Sequence, residues 1–182
     1  HGVASTADGP QRPSARGTPG LDLDPAQFVI FLQNHDQVGN SSGSCRQHEL
    51  TSPGRHRALT ALLCLAPQTP LLFQGQEFSA SSPFHYFADH EPELSKLVRE
   101  GRQAEMRNFR RQAGHDVSER FADPGAHSTF ARSKLDLGER DRNRASLDLH
   151  RDLLQLRRED PVFASQQANR IHGAVIADEA FL

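Results

Sequence analysis

Two short apolar runs, Phe28-Val29-Ile30-Phe31-Leu32 and Thr69-Pro70-Leu71-Leu72-Phe73, flank a helical pattern over 55–65. This arrangement limits what the chain can fold into. The first run is strand-length, rich in β-branched and aromatic residues, and apolar at consecutive positions, so it predicts a strand buried on both faces. Strands covered on both faces belong to parallel sheets. Between the runs, Leu59, Leu62, Leu63 and Leu65 share one broad helical face, and Pro67 ends the helix. Strand, helix, strand is a βαβ unit, with parallel strands and a right-handed crossover.

The rest of the chain is polar by comparison. Residues 33–54 carry Gly39, Gly43, Pro53 and Gly54 and read as a long loop after the first strand; 79–83 reads as a second loop. A charged helix is expected over 92–111, although Gly101 weakens it by about 1 kcal/mol relative to Ala. An irregular stretch follows over 114–142, with the turn signal Asp123-Pro124-Gly125. Asn143 is placed to cap a helix that buries Leu147, Leu153, Leu154 and Leu156 and ends before Pro161. Residues 171–182 resemble a hairpin, and 1–27, with eight Gly/Pro and no apolar period, an irregular arm. Two parallel strands cannot form a stable sheet alone. A (β/α)8 barrel needs about 250 residues. The 182 residues therefore predict an α/β chain that amounts to the tail of such a barrel, two βα units with enlarged loops after an irregular arm over 1–27.

Charge and composition exclude several classes. Against 21 Lys+Arg stand 23 Asp+Glu, a net charge of −2, whereas a nucleic-acid binder working by bulk electrostatics shows a basic excess. No apolar run reaches the roughly 18 residues of a membrane span. No signal-peptide pattern is visible. Two cysteines, without a CxxC or Cys/His zinc spacing, make a reduced, cytoplasmic compartment the expectation. Ten histidines show no HExxH or paired spacing, so no metal is expected.

Chemistry-bearing residues gather after the strands. Asn34, His35, Asp36 and Gln37 follow the first strand at the end where barrel enzymes place catalytic groups. There His35 and Asp36 could orient a substrate or act as a base, or simply satisfy each other and the loop. Glu77 closes the second strand in the same way, its alternative being a solvated turn acid. Phe84-His85-Tyr86-Phe87 could stack on a sugar face or anchor its loop. The arginines of the charged helix, 99, 102, 107, 110 and 111, alternate with glutamates and read as a solvated face.

Taken as strings, these segments resemble malto-oligosyltrehalose trehalohydrolases of the α-amylase family. Phe28 to Asn40 resembles FVxFLQNHDQxGN; Pro70 to Phe78 resembles PxLFMGEEW, Ser82 to Asp89 xPFxYFxD, Val98 to Arg102 VREGR, and Thr129 to Leu135 TFxxSKL. NHD after an apolar strand is general to the α-amylase family, and the longer LQNHDQxGN string is more selective. The resemblance implies a (β/α)8 barrel that hydrolyses the α-1,4 bond beside the trehalose end of maltooligosyl trehalose. It makes Phe28–Leu32 and Pro70–Phe73 barrel strands seven and eight, residues 28–160 the C-terminal portion of the barrel with its last two βα units, residues 161–182 the beginning of a β-rich C-terminal domain, and Asp36 the carboxylate that stabilises the transition state. Asn34, His35, Gln37, Glu77, Tyr86 and Arg102 become substrate-binding, no cofactor is implied, and the partner is an α-glucan. The two carboxyl groups that glycoside hydrolysis also needs lie, in the family, on strands four and five, outside the matching segments. Ser41-Ser42 stands where the family has an arginine, and Gln74, Gln76 and Phe78 depart from its Met, Glu and Trp or Tyr. The expectation is a segment of such an enzyme, inactive alone; the alternatives are a non-catalytic sugar-binding remnant or another α-amylase-family activity.

Overall fold

The computed structural model describes Gly20 and residues 23–113, 122–167, 172–177 and 180–181. The arm expected over 1–27 falls mostly outside these residues. Strands β1 (Val29–Ile30) and β2 (Thr69–Pro70) pair in parallel, with Val29 opposite Thr69 and Ile30 opposite Pro70. Pro70 has no N–H, so the ladder runs through its neighbours: Thr69 N donates to Phe28 O (2.9 Å) and Leu71 N to Ile30 O (2.8 Å). The βαβ reading holds, but the strands are shorter than expected and are not buried on both faces. Val29 is 57%, Phe31 40% and Leu71 38% exposed. Each strand has one hydrogen-bonded neighbour among the described residues, so its other edge is unpaired, and the face carrying Val29 and Phe31 is uncovered.

Between the strands lie α1 (His35–Asn40) and α2 (Pro53–Leu65). The expected loop over 33–54 thus contains a helix and two 3-10 turns, Ser42–Ser44 and Gln47–Glu49. Ser52 caps α2 by accepting from Arg55 N, and Pro53 takes the first turn, where a missing N–H costs nothing. Beyond β2 come α3 (Pro92–Ala113), α4 (His127–Ser133), α5 (Glu139–Arg142), α6 (Arg144–Glu159) and α7 (Pro161–Ala164). The described part of the stretch expected to be irregular over 114–142 therefore holds α4 and α5. Strands β3 (Val175–Ala177) and β4 (Ala180–Phe181) form the antiparallel pair expected near the end.

The main helix contact is α2 on α6. His56, Thr60, Leu63 and Cys64 form the buried stripe of α2, and His150 is buried on α6. Arg157 of α6 reaches the C-terminal end of α2, donating to Cys64 O (3.1 Å), Ala66 O and Gln68 O (2.7 Å). Cys64 O is one of the last carbonyls of α2, without a helical partner and at the negative end of the helix dipole, and Ala66 O and Gln68 O follow it in the turn, so one cation satisfies the helix end and the turn together. Gln166 holds Pro67 O (3.0 Å) beside them, which fixes the turn from α2 into β2. No helix among the described residues is long and apolar enough to cross a membrane.

Candidate active site

Helix α1 starts four residues after β1, at its C-terminal end, and its first turn carries His35 and Asp36. Asn34 Oδ1 accepts from Asp36 N (2.7 Å) and Gln37 Oε1 accepts from Asn34 N (3.1 Å), a reciprocal cap. Asn34 and Gln37 therefore set the start of the helix, while buried Val38 pins its underside. The His35 and Asp36 side chains are left 66% and 69% exposed, with Nε2 and Oδ1 3.6 Å apart. An exposed carboxylate on a fixed backbone can accept hydroxyl hydrogen bonds from a ligand without first breaking strong protein contacts.

The far end of α1 meets two other expected residues. Arg102 on α3 donates from Nη2 to Asn40 Oδ1 (2.8 Å), lies over the Tyr86 ring at 5.0 Å, and pairs with Glu105 (2.8 Å). Its side chain is only 17% exposed, so it is not part of the solvated basic face that the alternation on α3 suggests. Arg99 does point to solvent, paired with Asp123 (3.2 Å). A Cβ on Gly39 would sit 3.6 Å from Phe84 O and 3.9 Å from Tyr86 N, so α1 lies against the 84–86 segment. The structure thus joins α1, Tyr86 and Arg102. Glu77 is half-buried in the turn after β2, where its charge acts on Arg46.

Phe73, Phe84, Phe87 and Phe130 form an edge-to-face chain with centroids 5.1, 5.8 and 5.2 Å apart, so the aromatic cluster anchors its loop. Two adjoining cavities flank it. One, of about 590 Å³, is lined by Phe87, Asp89, His127 and Phe130; the other, of about 370 Å³, runs along Gln74, Phe84, Phe130 and Leu135.

Several residues that hold this rim, Ser44, Ser81 and Glu139 among them, were not singled out from sequence. Ser44 Oγ lies 2.8 Å from His85 Nδ1, both side chains buried, and burial pushes the His85 imidazole below its ordinary pKa, helped by Arg132. Buried Glu139 accepts from Ser81 N (2.9 Å) and Ser81 Oγ, which hold its carboxyl below the usual range. Asn143 occupies the capping position of α6 as expected, but its side chain donates to Phe78 O (3.0 Å) and Ser79 O (3.3 Å) instead of capping. Arg46, fully buried, was also missed; its one signal is that no other Lys or Arg occurs between residues 17 and 54. Among the described residues no three His, Cys, Asp or Glu are grouped to hold a metal ion.

The turn after β2 depends on Gly75, whose φ is +81°. A Cβ there would lie 2.8 Å from Ala80 Cβ and 2.7 Å from Leu135 Cδ2. Gly75→Ala is expected to cost about 1–3 kcal/mol in a urea unfolding curve. An unchanged midpoint would show that the turn accepts a side chain.

No family model matches the sequence. Individual proteins do. Over 158 residues the chain is 44% identical to a malto-oligosyltrehalose trehalohydrolase of Deinococcus radiodurans, covering 86% of this chain and 26% of that protein. The chain is a relative of the malto-oligosyltrehalose trehalohydrolases. A second such trehalohydrolase, from Arthrobacter ramosus, is 40% identical over 168 residues, covering 88% of this chain and 27% of its own length. The chain spans about a quarter of the length of these trehalohydrolases. The fold agrees: a crystal structure of a Salmonella typhimurium protein provisionally named alpha amylase superposes with TM-score 0.75 at 37% identity, covering 92% of this chain and 28% of that one. Among the segments that carry the trehalohydrolase resemblance, 34–40 is the capped start and body of α1, 82–89 the aromatic segment against it, and 98–102 the part of α3 that supplies Arg102.

Proposed function

We propose that these residues form the Asp36 side of the catalytic site of a glycoside hydrolase that cleaves maltooligosyl trehalose at the α-1,4 bond beside its trehalose end. The observation that carries this reading is the exposed Asp36 carboxylate on a capped turn at the C-terminal end of a parallel strand, where (β/α)8 enzymes carry out chemistry. In this reading β1 and β2 are the last two barrel strands, their open faces meet the preceding strands, and the β3–β4 hairpin begins the following β domain.

Each residue has a task. Asp36 accepts hydroxyls of the reacting sugar, bonds that tighten as the ring flattens and gains charge. His35 beside it supplies a second polar contact, while Asn34 and Gln37 hold the turn and border the subsite. Tyr86, with Arg102 over its ring, and Glu77 line the neighbouring rim. The nucleophile and the general acid come from the part of the enzyme that these residues do not match.

Two assays of trehalose release test this. The 182-residue polypeptide alone is expected to release none from maltooligosyl trehalose. A chimera of the Deinococcus radiodurans trehalohydrolase, with its matching quarter replaced by this sequence, is expected to release it. Asp36-dependent release by the isolated chain would mean that all three carboxyl groups lie within it; a folded but inert chimera would favour a sugar-binding role without bond cleavage.

A further inference from the structure

A guanidinium with no exposed surface lies beneath this rim. Arg46 Nε donates to Ser82 O (2.7 Å) and Nη1 to Gln74 O (2.8 Å), two main-chain carbonyls on either side of the turn after β2. The ring of Phe73 lies 5.6 Å from its Cζ, and its own N–H donates to Glu49 (2.7 Å). Burying a charge is a poor route to stability, because a well-packed apolar residue often serves as well or better. A guanidinium offers something an apolar side chain lacks: a rigid fork of donors that fixes two acceptors at one spacing.

The same residue is coupled to α1. Ser41, directly after α1, has its hydroxyl oxygen 2.9 Å from Val38 O and 3.1 Å from Cys45 O and shares its one proton between these two carbonyls, so the end of the helix lies against the residue preceding Arg46. Ser44 adds a parallel link through His85, the neighbour of Tyr86. A line of short contacts therefore runs from α1 through Ser41, Cys45 and Arg46 to Gln74 and Ser82, and on to the segment carrying Tyr86.

We propose that Arg46 is a positioning residue of the α-glucan site: it fixes the spacing between the α1 turn bearing Asp36 and the rim bearing Glu77 and Tyr86. The inference rests on the reading of that rim as a glucan site. Arg46 itself lies too deep to touch sugar.

Tyr86 is the chain's sole tyrosine and there is no tryptophan, so intrinsic fluorescence reports on the rim alone. The test uses the 182-residue chain with Arg46→Gln and Arg46→Lys, read by acrylamide quenching of Tyr86, by calorimetric binding of maltoheptaose, and by far-UV circular dichroism. Both variants are expected to keep their helical signal, to raise the quenching constant at least about twofold, and to weaken maltoheptaose at least about tenfold; lysine fails because one ammonium does not reproduce the fork. In a Glu77→Gln background, Arg46→Gln should add less than about twofold to the loss of affinity, since both act through the same rim. Additive losses, or folded variants with wild-type quenching, overturn the proposal.

If the Arg46 variants do not fold, Phe73→Leu and Ser44→Ala decide the matter, because each loosens one support and keeps the charge. Both should raise Tyr86 quenching, and wild-type quenching in both overturns the proposal. Failure of the glucan reading has its own signature. The wild type then does not bind maltoheptaose, while the quenching shifts still report whether Arg46 sets the rim. Maltoheptaose binding that ignores Arg46 rejects the positioning role alone.

Discussion

Asp36→Asn, placed in the chimeric trehalohydrolase, is expected to lower kcat about 10³-fold, on the order of 4 kcal/mol of transition-state stabilisation, with KM nearly unchanged. Asparagine keeps the size of the side chain and one acceptor oxygen but removes the negative charge. In the ground state the sugar hydroxyls lose little by that exchange. As the glycosidic bond breaks, the ring gains oxocarbenium character and its hydroxyls become stronger donors, so the missing charge is felt mainly at the barrier. A loss confined to kcat and kcat/KM is the kinetic mark of such an interaction.

The geometry makes this substitution clean. The Asp36 side chain is 69% exposed, with His35 Nε2 3.6 Å away, whereas the capping bonds of α1 run through its backbone and through Asn34 and Gln37. Folding stability should therefore shift by less than about 0.5 kcal/mol, the ordinary range for a surface change. A loss of activity under tenfold, or a KM that rises in step with it, would remove Asp36 from the transition state and leave it an ordinary binding residue.

What the sequence disclosed and what it hid follow from the length scales of the forces involved. The βαβ unit was legible because uninterrupted apolar runs are local patterns, and α2 starts within two residues of its expected position, although of its four expected leucines only Leu63 is buried and Leu62 is 50% exposed. Helix α1 was hidden inside a polar stretch. Six residues are too few to show a hydrophobic period, and its start depends on a cap between Asn34 and Gln37, which becomes informative only once the backbone turns there. The burial of Arg46 was hidden for a different reason. Its acceptors are main-chain carbonyls 28 and 36 residues away, which no side-chain pattern encodes. The exposure of Val29 and Phe31 depends on which strands lie beside β1, a property that the apolar run itself does not carry. At the site, the chemical type of His35 and Asp36 and their place after a strand were readable, whereas the union of Asn40, Tyr86 and Arg102 needed the fold to bring three distant segments together.

Acidification is expected to weaken the α2–α6 contact through His56. This imidazole is 7% exposed, its Nδ1 is 2.6 Å from Gln47 Oε1, and its ring centroid is 5.9 Å from that of His48. With an oxygen facing Nδ1, the proton sits there, and the buried Nε2 has no partner to receive a second donor. Burial, together with the neighbouring His48 and His150, pushes its pKa down to about 4; burial lowers His48 as well. Above an ordinary value near 6.5 both the folded and the unfolded imidazole are neutral, and nothing is lost. Between there and about 4 the unfolded chain takes up a proton that the folded chain refuses, so stability falls with pH; below about 4 both forms are charged and the contribution levels off. From about pH 7.5 to about pH 5 the share of the loss due to His56 should be about 2 kcal/mol, read as a falling urea midpoint. The carboxylates held low here, Asp136, Glu139 and Glu159, lose their own contributions only as pH drops through and below their unfolded values near 4, beneath this window. His56→Asn can keep the donor to Gln47 without a titrating ring, so its midpoint should fall distinctly less over the same interval, with half-buried His48 and buried His85 supplying the remaining slope. Equal slopes for the wild type and His56→Asn would place the acid-sensitive group elsewhere.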